Sequence, residues 1–102
     1  MIDLKAFYED QIAFNKNHIA WCDKMVARCN EMLKSCRKYD RDLVQSVWAR
    51  GVVTEIEMKV FNKDYVSNDT QFYIDDRKFY YNSRRKARKE LEKYNLKLAK
   101  VR

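Results

Sequence analysis

The chain has 102 residues, 46 % of them apolar, 14 % aromatic and 36 % charged, with no proline and a single glycine. That length supports one domain with a small core, and the longest uncharged run, Leu43 to Ala49, is far short of the roughly 20 apolar residues of a membrane span. With Asp3, Lys5, Glu9 and Asp10 at its start instead of a secretory signal, the chain is expected to be soluble and cytoplasmic, with no membrane partner. The formal charge of +7 is uneven: Met1–Asp76 carries 11 Lys plus Arg against 13 Asp plus Glu, and Arg77–Arg102 carries 11 against 2. The first stretch is therefore −2 and the last 26 residues +9, which points to an anionic partner at the C-terminal end.

Leu4 to Tyr39 reads as one long helix. With Cys22 at heptad position a, positions a, d, e and g are apolar or aromatic. They hold Cys22, Cys29 and Cys36; Leu4, His18, Met25, Met32 and Tyr39; Ile12, Ile19, Val26 and Leu33; and Phe7, Phe14 and Trp21. The polar patch at Asn15, Asn17 and His18 does not break the helix, because the pattern resumes in the same phase beyond it. About 36 residues at about 1.5 Å each span roughly 54 Å, longer than the mid-thirties diameter of a compact chain of about 100 residues. A helix that overhangs its own domain is most simply covered by a second copy, so a homodimer or higher homo-oligomer is expected through Ile12, Ile19, Cys22, Val26, Cys29 and Leu33. The alternative is that the rest of the chain folds back and buries this helix within one molecule.

Asp42 and Gly51 bracket a second, two-turn helix carrying Leu43, Val44, Val47 and Trp48. From Val52 to Asn82 there is neither alanine nor leucine, and 15 of the 31 residues are Val, Ile, Thr, Phe or Tyr. That composition suits a pleated surface. Val52, Thr54, Ile56, Met58 and Val60 alternate with Val53, Glu55, Glu57 and Lys59, predicting a strand over Val52–Phe61; two shorter strands, Thr70–Ile74 and Lys78–Tyr81, would be joined by Asp75-Asp76-Arg77. The expected fold class is α+β: a long N-terminal helix, a short second helix, a small antiparallel sheet and a basic C-terminal helix. The competing arrangement, favoured by the absence of proline and of Asn-Gly or Asp-Gly turns, is an all-α three-helix bundle.

Asn82 and Ser83 are suitable caps for the last helix. Its apolar stripe is Ala87, Leu91, Tyr94, Leu98 and Val101. Lys86, Lys89, Lys93, Lys97 and Lys100 form a second stripe, and Arg84, Arg85 and Arg88 thicken the charge at its first turns. Lys and Arg neutralise phosphates and aromatics stack on bases, so Phe72, Tyr73, Phe79, Tyr80 and Tyr81 just ahead of the basic residues fit a nucleic-acid binder.

Catalytic chemistry has little to draw on. The single histidine, His18, lies mid-helix one turn from Cys22, where both read as packing residues before they read as a nucleophile pair or metal ligands. The three cysteines are spaced by seven, about 10 Å on a helix, beyond disulfide reach, and reduced thiols are expected. No enzyme activity, cofactor or metal site is therefore expected. The sequence reading is a non-enzymatic, self-associating protein that binds an anionic partner, nucleic acid foremost, through Arg84, Arg85, Lys86, Arg88, Lys89, Lys93, Lys97 and Lys100. The alternative is a small inhibitor or adaptor, of a kind frequent among viral products, that docks on the acidic surface of a nucleic-acid-handling enzyme. A membrane-surface role for the amphipathic basic helix is a third.

Overall fold

A computed structural model describes residues 3–101. Among them 87 % are helical and none is in a strand, so the fold is all-helical and the expected α+β arrangement is corrected. Three helices are present: α1 (Leu4–Ala49), α2 (Glu55–Val60) and α3 (Asn68–Val101).

The first correction is at the end of the long helix. The helix does not stop at Tyr39; α1 runs 46 residues and absorbs the separate helix expected after Asp42. Asp40 is not a boundary residue but a buried one, and Ser46 returns its hydroxyl to the Asp42 carbonyl at 2.9 Å, as serine does inside a helix. Termination falls where the glycine predicts. Gly51 has φ of +79°, a left-handed conformation a side chain would disfavour, and its N–H bonds to the Trp48 carbonyl at 3.3 Å.

The second correction is the sheet. The expected strand Val52–Phe61 is instead a short loop followed by α2, because Thr54 and Glu57 form a capping box. Thr54 Oγ1 accepts the Glu57 N–H at 3.2 Å while the Glu57 carboxylate accepts the Thr54 N–H at 3.3 Å. Arg50 pairs with the same Glu57, and Trp48 Nε1 donates to the Phe61 carbonyl at 2.7 Å, which ties the short helix back onto the end of α1. The other two expected strands lie inside α3, and Asp75-Asp76-Arg77 is mid-helix. Ser67 starts α3, its Oγ accepting the Thr70 N–H at 3.3 Å. Beyond it no glycine or proline interrupts the chain. Thr70, Tyr73, Arg77, Tyr80, Arg84, Ala87, Leu91, Tyr94 and Leu98 then recur at alternating steps of three and four, and all are buried or half-buried. That helical period overrides the β-leaning composition.

The chain divides into two compact units, one made of the residues up to Ala27 with those from Arg77 onward, the other of Arg28–Asp76. In the first, Ile12, Asn15, Cys22 and Val26 of α1 and Tyr80, Ala87 and Leu98 of α3 are buried. Phe7 meets Tyr94 and Trp21 meets Tyr80, so the two segments run antiparallel. In the second unit Cys29, Leu33 and Val47 are buried together with two polar residues, Asp40 and Thr70. Asp40 Oδ2 accepts the Thr70 hydroxyl at 2.6 Å and the Ser67 N–H at 3.2 Å, so a carboxylate from α1 holds the first turn of α3. Burial pushes the Asp40 carboxyl up, but the hydrogen bonds from Thr70 and Ser67 outweigh it and leave the group below its ordinary value.

Removing that acceptor leaves two donors without their partner, so Asp40→Ala should lower unfolding stability at pH 7 by about 1–3 kcal/mol in urea melts. Because the folded carboxyl sits below its unfolded value, the contribution is present above about pH 3.9 and is lost as pH falls through the lower folded value. The gap between wild type and variant should therefore close in acid; a gap unchanged below about pH 3 would contradict this role.

Candidate functional site

The residues expected to join two chains are used within one. Ile12, Cys22, Val26, Cys29 and Leu33 are buried and Ile19 is half-buried in the single chain. Their use between two copies remains a proposal, and within one chain these six are covered as the fold-back alternative expects. The reason is that α3 is 34 residues long and not the last 20, so its three–four stripe lies within the same molecule as the a and e positions of α1. The d and g positions are left over: Leu4, Phe7, Phe14, Trp21, Met32 and Tyr39 are all exposed.

In the first unit these leftover residues form an ordered aromatic array. Phe14 stacks on His18 with rings 6.2 Å apart and 5° from parallel, and His18 stacks on Trp21 at 5.5 Å. Trp21 then meets Tyr80 edge-on at 5.3 Å, and Phe79 meets Tyr80 at 5.4 Å. Phe14 is 65 % exposed, Phe79 58 % and Trp21 45 %, so the array is surface and not core.

The basic residues of α3 divide between two sides of that unit. Arg84 bonds Asp23 at 2.6 Å and lies over the Tyr81 ring at 5.1 Å, which places Asp23, Arg84 and Tyr81 on one side. Arg85, Arg88, Lys89 and Glu92 share a depression of about 390 Å³ with Tyr81 and Arg84 on that side. Trp21 precedes, and Asp23 follows, the buried Cys22; Phe79 precedes, and Tyr81 follows, the buried Tyr80. Neighbours of a buried helical residue project to opposite sides, so Trp21 and Phe79 share the second side. Phe79, Lys86, Lys93 and Lys100 are spaced by seven and form one row there. Lys97 lies 5.9 Å from the Tyr8 ring and 5.8 Å from the Tyr94 ring, and Lys93 5.1 Å from Tyr94, next to Phe7. The eight expected binding residues are thus not one patch. Arg84 is committed to Asp23 and Tyr81, Arg85, Arg88 and Lys89 face one way, and Lys86, Lys93, Lys97 and Lys100 flank the aromatic array.

His18 is a stacked ring within that array and Cys22 is buried behind it. Burial pushes the Cys22 thiol above its ordinary value and outweighs the opposing pull of Arg84, with Asp23 adding to the rise. A protonated, enclosed thiol is a poor nucleophile. Cys29 is also buried, its thiol 3.8 Å from Asp76 Oδ2. Among the described residues no three His, Cys, Asp or Glu side chains are grouped to hold a metal ion. No described helix is long and apolar enough to cross a membrane.

In the second unit Arg37, Asp40, Arg41, Val44, Tyr65 and Thr70 line a hollow of about 630 Å³, where Asp40 already serves the start of α3. Comparison with family models, with curated proteins and with solved structures finds no match to this chain.

Cys36 is the only cysteine not fully buried, so thiol titration of the native chain at about pH 7.5 should modify it first. Cys22 and Cys29 should react only on unfolding. Modification of Cys22 in the native chain as fast as a free thiol would contradict the packing reading.

Proposed function

We propose that this chain is a non-enzymatic adaptor or inhibitor that docks on an acidic partner protein through the lysine-flanked aromatic face of its first unit. The single observation that carries this is the coincidence of exposed rings and a lysine row on one side of one unit. Met1–Ala27 has a net charge of −1, so with the +9 of Arg77–Arg102 the unit carries +8, against −1 for Arg28–Asp76. Large exposed aromatics beside cations are the composition of protein-binding surfaces, where rings supply buried area and the charged rim supplies orientation and rate.

A nucleic acid is the second reading, and the depression holding Tyr81, Arg85, Arg88 and Lys89 favours it. Two features weigh against it. The rings that would have to receive bases already lie against one another, Phe14 against His18 and His18 against Trp21. One arginine of the expected phosphate cluster, Arg84, is held by Asp23.

Capture from lysate with and without nuclease separates the readings. A partner protein should survive nuclease treatment, and Lys86→Glu, Lys93→Glu and Lys97→Glu together should weaken its retention by about tenfold or more, most strongly at low salt. If the captured material vanishes with nuclease and log affinity for duplex falls with log salt by about 0.9 per contact, the acidic-protein reading fails.

A further inference from the structure

Phe7, Phe14 and Trp21 recur by seven and are interleaved by Leu4, Gln11, His18 and Met25 at steps of three and four, so the row is apolar or aromatic except at Gln11. Beside them runs the row Phe79, Lys86, Lys93 and Lys100, also spaced by seven. We propose that the occupant of this face is an amphipathic α-helix of another protein, about three heptads long, apolar along one stripe and lined with Asp or Glu on the flank that meets the lysine row. This rests on the acidic-partner reading and specifies the shape of what docks.

The spacing selects a helix. Contacts from Leu4 to Met25 fall every three to four residues, about 4.5–6 Å along the axis, and a second helix with the same rise repeats its apolar residues at that interval without drift. An extended strand repeats on one face about every 6.7 Å and loses register within two or three contacts. An aromatic row on α1 beside a lysine row on α3 is matched by an amphipathic helix, which brings an apolar stripe and a charged flank to its partner through i, i+3, i+4 and i+7 residues.

Charge decides the flank of that helix and argues against a second copy of this chain. Pairing two copies at this face would bring two units of +8 together. An acidic helix instead meets Lys86, Lys93 and Lys97, of which, among the described residues, only Lys93 is paired with a carboxylate, Glu90 at 3.8 Å on an exposed surface.

The test is calorimetric titration of the full chain with three synthetic peptides of about 24 residues. One has Leu at a and d and Glu at e and g, the second has Lys in place of Glu, and the third is the first interrupted by two prolines. The acidic helical peptide should bind in the micromolar range and the other two at least about tenfold more weakly. Phe14→Ser, at a position too exposed to disturb the core, should weaken binding by about tenfold with unchanged circular dichroism, and Lys86→Glu with Lys93→Glu should do the same and flatten the salt dependence. Equal binding of the proline-broken peptide overturns the helical occupant while leaving acidic docking in place. Binding of an oligonucleotide but of no acidic peptide overturns both, and a dimer of the chain alone that Phe14→Ser dissolves assigns the face to a second copy and overturns the proposal.

Discussion

The structure depends on one packing constraint: α1 is apolar at four heptad positions and the chain itself covers only two of them. Positions a and e, from Ile12 through Cys22, Val26, Cys29 and Leu33, are the buried seam. To supply the other half of it, α3 must be helical from Asn68 onward, which is why a stretch rich in Tyr, Phe and Thr does not form strands. Each residue of this kind loses only a few tenths of a kcal/mol to helix propensity, whereas a well-buried aliphatic or aromatic side chain gains about 1.5–3 kcal/mol.

The polar members of the seam fix its alignment. Asp40 and Thr70 are buried opposite each other and bonded, so sliding one helix past the other would bury a carboxylate without donors, a heavier cost than losing an apolar contact. Arg77 and Arg84 occupy seam positions in α3 yet remain half-buried, consistent with long stems packing while their heads reach out, Arg84 to Asp23.

Much of this was legible in the residues. The phase of the long helix, its excess of apolar positions, the stop at Gly51 and the stripe Ala87–Leu91–Tyr94–Leu98 all stand in the structure. The alternation over Val52–Val60 suggests a strand, but Thr54-x-x-Glu57, a capping box visible in the sequence, starts a helix there instead. The N-terminal half of α3 was hidden by Thr70, Arg77 and Arg84, polar residues at seam positions that break the apolar stripe to the eye. The sequence points to Asp42 as the start of a separate helix, whereas the acid that holds a helix start is Asp40, and that helix begins 28 residues later at Asn68. The division of the basic residues between two sides was not legible, since it depends on which neighbours Tyr80 and Cys22 hide.

The aromatic array follows from the same constraint. Once a and e are satisfied internally, d and g are covered only in part, and where α3 brings Phe79 and its lysine row beside them the leftover stripe becomes a surface with both shape and charge. The most direct measurement of this account is the thermal melting midpoint by circular dichroism across a hundredfold range of chain concentration. A seam closed within one molecule predicts a strongly helical spectrum and a midpoint independent of concentration. A midpoint that climbs with concentration would show that a second chain closes the seam, and would contradict it.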